Sequence, residues 1–432
     1  MDMDGLMKNN IYNQIKNIYK LHKKYHFSNK SEINWLKLKI LLKNKKYDND
    51  KKKFLEYINN NFLINSPTLS INKNKLKNFL FEIDSVILFF INGKIDKNIS
   101  NINNLYYKIN INTYNNIDYK NNFFKNNIFT CLSETLTKEI VSIDINHVKN
   151  INIKPLYLVY FNEGNKNNKI FMSNYRNYIY INNISSISII EHHINTDELY
   201  FNNIYNTLIL KNNSKVEYYR FFTNENNNKN CCSINNEYYL YDSIFLKKYD
   251  LFISNKHMNQ SNNFQFIGKK SKLIYKSILF SKNDNLININ NHIEHNGKNC
   301  CSIQSHKAIS LDQSTINSIG LLKINKYAEK TNGQINYSSL LLSNLSKINI
   351  QPKLDIFNKN VKCQHSVFTG KIDSNQIFFL RSRGISFKKA YNILFIIFIK
   401  DSLREINNNN LKIKISKKIS CYLSVENFFN EF

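Results

Sequence analysis

The sequence predicts a mainly β protein with helical segments at both ends, and three observations carry that prediction. From about Ile151 onward, apolar residues fall into short runs with strand-type spacing. Asn, Ser, Lys and Gly fill the breaks between the runs, as turns require. No strong helical pattern separates the runs, which disfavours a doubly wound α/β sheet and leaves a sandwich, a barrel or a stacked solenoid. No clean repeat of fixed period is visible, so periodicity alone does not choose among the three.

Taken in order, the chain opens with a Lys-rich stretch to about Ser70. Ile11, Ile15, Ile18, Tyr19 and His22 keep helical spacing there, and Trp35-Leu36 with Leu38 to Leu42 mark a second helical patch. Val86 to Ile91 reads as a buried strand stopped at Asn92-Gly93. Cys131 to Ile140 has helical character again. Leu156 to Phe161, Tyr178 to Ile181, Ser185 to Ile190, Leu208 to Leu210, Val216 to Phe221, Phe264 to Ile267, Leu273 to Phe280 and Leu286 to Ile289 are the expected strands. Asp373, with Gln376 three residues on, is a capping-box signature, and Gly384 suits the left-handed residue that ends the helix so started. Ser386 starts a second helix running to about Ile406, whose NILFIIFI segment is apolar on nearly every face and is expected to be buried among neighbours. The chain thus divides into a helical or mixed region 1–148, a β core 149–362 and a helical region 363–432.

The 432 residues carry a formal net charge of +28, which ordinarily suggests nucleic acid or an anionic surface. Here Lys, Asn and Ile are inflated throughout while Gly and Pro are scarce, as an AT-biased genome would produce. The lysines are spread with no compact Arg stripe to follow a phosphate backbone, which disfavours nucleic acid. Seven cysteines, with two adjacent pairs that do not bridge easily, argue against a secreted disulfide framework and for a reducing cytoplasm. The acidic start MDMDGLMKNN does not resemble a signal peptide. The longest apolar runs, Val86 to Ile91 and Ile393 to Ile399, fall far short of the roughly 20 residues of a membrane span.

The stretch from Gln351 to Ile385 holds the main chemical candidates. Cys363 and His365 are one residue apart, so on an extended strand both side chains point the same way, and a thiolate with an imidazole suits iron or a nascent cluster. The bland reading is a small buried Cys and a hydrogen-bonded His. His292, Glu294, His295, Cys300, Cys301 and His306 form the densest group of potential ligands, without the paired spacing of a structural zinc site. Within it His295, Cys300 and His306 are weak metal candidates, with interior filling as the favoured role. Glu191, His192 and His193 are read as surface residues. There is no GxxxxGK[ST] phosphate loop, no GxSxG elbow and no HExxH, so the chain itself is not expected to hydrolyse ATP.

The segments VKCQHSV and IFFLRSRGI, with IEHNGKNCCSIQSHKAI, EKTNGQINYSSLLLS and PKLDIF upstream, resemble the SufB/SufD family of iron-sulfur cluster assembly proteins over about the last third of the chain. Gln364 and Ser366-Val367 depart from the family's usual KCSHGA. The resemblance implies a right-handed parallel β-helix flanked by helices, and a non-enzymatic scaffold that pairs with a SufB-like subunit near His365. It implies docking of the ATPase SufC by the helices from Asp373 onward, with Phe379, Arg381, Ser382, Arg383 and Gly384 as the contact. An iron-sulfur cluster or iron would be transient and shared with SufB, with none held tightly by this chain alone. SNLSKINIQP lacks the cysteine that SufB-like chains carry before the matching Pro, which favours the SufD side of the family. The alternatives are a SufB-like principal scaffold, a basic nucleic-acid-binding solenoid, and a metalloenzyme built on His292 to His306.

Overall fold

The computed structural model describes residues 3–25, 29–43, 55–56, 58, 62–67, 76, 79–112, 127–146, 153–164, 169–195, 199–223, 230–253, 256–404, 406 and 408–422. Ile151, the expected start of the strand pattern, lies outside them. Helices α1 (Met3–Tyr25) and α2 (Asn29–Lys43) come first, and α3 (Ile128–Leu136) precedes the main strand series. The early strands are β1 (Phe62–Asn65), β2 (Val86–Ile91), β3 (Lys94–Ile95), β4 (Lys108–Asn112) and β5 (Ile140–Asn146). Then follow β6 (Leu156–Asn162), β7 (Lys169–Asn182), β8 (Ile187–Asn195), β9 (Tyr200–Lys211), β10 (Lys215–Thr223), β11 (Cys231–Leu240), β12 (Phe245–Ile253) and β13 (His257–Phe266). The series ends with β14 (Lys272–Ser281), β15 (Leu286–His295), β16 (Cys301–Ser310), β17 (Thr315–Ile324), β18 (Thr331–Leu341), β19 (Lys347–Ile356) and β20 (Val361–Gly370). Helices α4 (Ser374–Arg381), α5 (Phe387–Arg404) and α6 (Asn409–Tyr422) close the described chain.

Successive strands alternate between two ten-stranded sheets, one ordered β19-β17-β15-β13-β11-β9-β7-β5-β4 with β1 beside β7, the other β20-β18-β16-β14-β12-β10-β8-β6-β2-β3. From β5 and β2 onward every neighbour is parallel, so the molecule is a parallel β-solenoid. The ladder extends ahead of residue 149, through β2 and β5, and past residue 362 to Gly370. From β7 onward the rung period varies, with stacked residues 26 to 32 apart in sequence. That period is invisible in the text because one interior column changes residue type from rung to rung: Glu191, Arg220, Asp250, Ser277, His306 and Tyr337 are stacked in register. The strands are also longer than their apolar runs. Leu208 to Leu210 is only the end of β9, because buried asparagines continue the strand without an apolar signal. The rungs turn at positive-φ residues such as Asn183, Asn212, Asn213, Asn283 and Asn299, a conformation Asn tolerates better than most residues.

Three apolar layers hold the fold. Leu158, Ile204, Leu246, Phe264, Ile289 and Leu322 belong to the core between the sheets. Phe221, Leu251, Phe280 and Ile309 on the outer face of the second sheet meet Phe395, Ile399 and Leu403 of α5 and Leu411, Ile415 and Ile419 of α6. On the first sheet Met172, Phe201 and Cys231 meet α1, α2 and the wholly buried α3. Arg176 bolts α3 down. Its Nε donates to Glu134 Oε1 at 2.8 Å, its Nη1 to the Tyr205 carbonyl and its Nη2 to Thr207, with the guanidinium stacked against the rings of Tyr178 and Tyr205. The helical text from Cys131 to Ile140 stops at Leu136, and Ile140 already belongs to β5. α5 is not buried on every face, since Ile397 is 57% exposed.

Glu191, His192 and His193 are not on the surface; all three are fully buried. β8 is covered on both faces, so its charges are paired rather than hydrated. Glu191 accepts hydrogen bonds from Arg220 Nη2 at 2.7 Å and from the Tyr218 hydroxyl, and lies 2.8 Å from His193 Nε2. Burial alone would raise its carboxyl; Arg220 and His193 outweigh it and hold it well below the usual carboxylate range. His192, on the outer face, stacks on Phe81 and meets the Tyr157 hydroxyl at 2.8 Å. Two rungs on from Glu191, Lys248 is bonded to Asp250, and burial pushes the ammonium down to about 7 in spite of that partner. A ladder of amides runs alongside. Asn177 donates to Asn206, Asn206 to Asn236, Asn236 to Asn262 and Asn262 to Asn291, over 2.8 to 3.1 Å.

Truncating Glu191 to Ala leaves the Arg220 guanidinium buried without its anion, and should cost about 3–5 kcal/mol. The double substitution Glu191→Ala/Arg220→Met should recover much of that loss in urea titrations. His295 and His306 are pushed down to about 3 by burial, so both are neutral in the fold. An unfolded chain protonates them near pH 6.5. Their contribution to stability is therefore full above about pH 6.5 and falls as the pH drops toward 3, by about 1.4 kcal/mol per pH unit for each histidine. His306→Gln should make the pH profile of stability shallower, and a native profile flat between pH 6.5 and 5 would contradict the assignment.

Candidate functional site

The two ends of the solenoid are built differently. At the N-terminal end β3 turns back antiparallel on β2 and β4 runs antiparallel to β5, which blunts both sheets. At the C-terminal end, among the described residues, β19 bonds only to β17 and β20 only to β18, so two strands of ten residues each leave an edge unpaired. Cys363 and His365 lie on β20, in register with Gly333 and Ile335 of the rung beneath. Since Ile335 points into the core, both side chains sit on the inward face of the last rung, as their spacing predicts. Val361 and Cys363 pack against the core while His365 is exposed. Burial raises the Cys363 thiol, with the Gly333 amide working the other way. Beneath them Tyr337 spans the interior and its hydroxyl meets that of Ser318 at 3.2 Å. Gly320 makes room for it, because a Cβ there would lie 2.7 Å from the Tyr337 oxygen.

The rim of this end is apolar to a degree the cysteine and histidine alone did not reveal. Ile356, Phe357, Val367 and Phe368 are 43 to 63% exposed around the last rung. In sequence they read as ordinary strand residues of LDIF and SVF, and only the absence of a following rung leaves them uncovered.

The group from His292 to His306 is divided by the sheets. His292 and Glu294 point outward; His292 Nδ1 meets Asn263 at 2.8 Å and Glu294 is bonded to Lys323, Asn325 and Gln265. His295 and His306 point inward, to Ser302 and Ser277 respectively, each at 2.8 Å. The Cys300 thiol faces the Gly268 carbonyl at 3.3 Å, and Cys301 lies half-buried. Among the described residues no three His, Cys, Asp or Glu side chains form a group that could hold a metal ion.

The C-terminal helices present a second feature. The Asp373 side chain accepts from the Asn375 amide at 2.9 Å and so caps α4, and Gly384 ends the turn at φ +83°. Arg383 lies 3.6 Å over the Phe379 ring, Ser382 Oγ donates to the Phe379 carbonyl, and Arg381 is exposed. Phe378 and Phe379 are 74% and 52% exposed. Between α4 and α5 runs a groove of about 330 Å³ lined by Gln376, Phe379, Leu380, Ile393, Leu394 and Ile397.

Comparison with known proteins fits this architecture. Residues 161–398, more than half the chain, match the family described as SUF system FeS cluster assembly, SufBD core domain. The iron-sulfur cluster assembly protein SufD of Escherichia coli K12 is 24% identical over 294 residues, 68% of this chain and 69% of that protein. The SufBD family protein ycf24 of Antithamnion is 33% identical over 132 residues, 31% of this chain and 44% of its own length. Protein ABCI7, chloroplastic, of Arabidopsis thaliana is 23% identical over 269 residues, 60% of this chain and 55% of that protein. The chain belongs to the SufBD family of iron-sulfur cluster assembly proteins.

Proposed function

We propose that this chain is a SufD-like, non-enzymatic scaffold that pairs through the open end of its solenoid with a SufB-like subunit and docks a SufC-like ATPase through α4 and α5. The observation that carries the reading is the pair of unpaired edges at β19 and β20. An exposed edge is a template for another chain's strands, and here its rim is apolar and it carries His365 and Cys363. Assembly at this edge would bring the imidazole and thiol to the seam between subunits, where iron and sulfide, as cargo, are joined into a cluster. Burial raises the Cys363 thiol and half-covers it, whereas His365 is exposed, so His365 is the readier ligand.

The groove beside Phe379 has the character of a protein contact: apolar walls, an exposed aromatic ring and Arg383 stacked on that ring. ATP hydrolysis in the partner would then reach the solenoid through α5, which packs on the outer face of the second sheet beside Phe280. No disulfide joins the described cysteines, which fits a reducing compartment, and no described helix is long and apolar enough to cross a membrane.

Anaerobic co-purification with candidate SufB-like and SufC-like proteins tests the assembly. His365→Ala should leave the complex intact and lower its iron and sulfide content severalfold. An intact complex of unchanged content would remove His365 from the chemistry, and failure of the native chain to form any complex would remove the scaffold reading. Phe379→Ala with Leu380→Ser should weaken ATPase binding by about tenfold or more, as loss of a buried aromatic anchor does, without releasing the SufB-like partner.

A further inference from the structure

α2 is apolar on two opposite faces. One face carries Leu38 and Leu42, buried with Trp35 and Leu41 against α1 and α3. Trp35 stacks on Tyr19 of α1 at 4.4 Å between ring centroids and fixes that packing. Directly opposite, Ile33, Leu36 and Ile40 recur at the spacing of a single helix face and are 54, 54 and 57% exposed. A helix with two apolar faces is ordinarily sandwiched between two layers, and among the described residues α2 has only one.

Charge narrows the choice of the missing layer. Lys37 and Lys43 are exposed on the same arc as the three aliphatic side chains, and the nearby Glu32 is held by Lys23 at 2.8 Å. A second copy of the chain would set these lysines against one another, on a molecule whose net charge is already +28. Nucleic acid offers no apolar surface to the aliphatic ridge. A ridge three side chains long, rimmed by lysines, matches a helix of complementary pattern, with leucines at helical spacing and carboxylates beside them.

We infer that the Ile33-Leu36-Ile40 ridge of α2, with Lys37 and Lys43, is a docking surface for an acidic amphipathic helix of a partner protein. The surface lies over the first sheet, away from both the β19/β20 edge and the α4–α5 groove, so it stands independently of the scaffold proposal. It would let a third protein bind while both other surfaces are engaged.

The test uses the full chain and two synthetic amphipathic peptides of identical leucine spacing, one with glutamates and one with lysines on the polar face, plus phosphatidylglycerol vesicles. The glutamate peptide should bind and the lysine peptide should not. Ile33→Ser/Leu36→Ser/Ile40→Ser should weaken binding by about tenfold or more. Lys37→Glu/Lys43→Glu should shift the preference toward the lysine peptide, an effect that a purely structural role for α2 would not produce. Trp35, the only tryptophan, reports whether the helical layer stays folded. Equal binding of both peptides, no binding, or binding indifferent to the triple substitution would overturn the inference. Vesicle binding lost in the triple variant would assign the ridge to a membrane surface instead. Unfolding of the triple variant would mean that another segment of the chain itself covers the ridge.

Discussion

In a parallel solenoid each strand's backbone bonds to the rungs above and below, so the stacking register decides which side chains meet in the interior. The amide ladder from Asn177 to Asn291 shows how tightly that register is drawn. Each amide donates to the next and accepts from the one before. A slip of one residue would turn every one of them to the outer face and leave buried polar groups without partners. The ion pairs Arg220–Glu191 and Lys248–Asp250 impose the same condition more severely, since a buried charge without its partner costs more than the pair contributes. We read these groups as devices for register as much as for stability.

The same stacking explains why the two ends differ. Sheets built by adding rungs have no natural stop, and an edge must be turned, covered or used. The N-terminal end is turned, by β3 and β4. The C-terminal end is left with its inward residues half-covered, and the chain departs at once into α4 and α5. The proposed cluster residues, the apolar rim and the helical groove thus cluster where the solenoid stops.

Arginine usage carries a signal that was open to the sequence but not drawn from it. Only five of the 60 basic residues are arginine. In a chain that elsewhere uses lysine, an arginine marks a place where a planar, multiply donating cation is needed. Arg176 and Arg220 are fully buried, one fixing α3 to the first sheet and the other completing the interior network. Arg381 and Arg383 stand on the exposed α4 turn and Arg404 near the end of α5.

By itself the sequence determined the β class of the long middle region, the terminal helices, the cap at Asp373, the left-handed Gly384 and the shared face of Cys363 and His365. All of these are local consequences of spacing and of side-chain propensity, and the segment VKCQHSV with IFFLRSRGI was enough to indicate the family. Only the tertiary structure decided the rest. It buried Glu191, His192 and His193, because whether a strand is covered on one face or two is a property of its neighbours. It put His295 and His306 on different sheets and gave each a serine from another strand as partner, because which strands meet is set by the stacking and not by spacing along one strand. It left Val367, Phe368 and Ile40 exposed, because an apolar residue records that something must cover it but not whether the same chain supplies the cover.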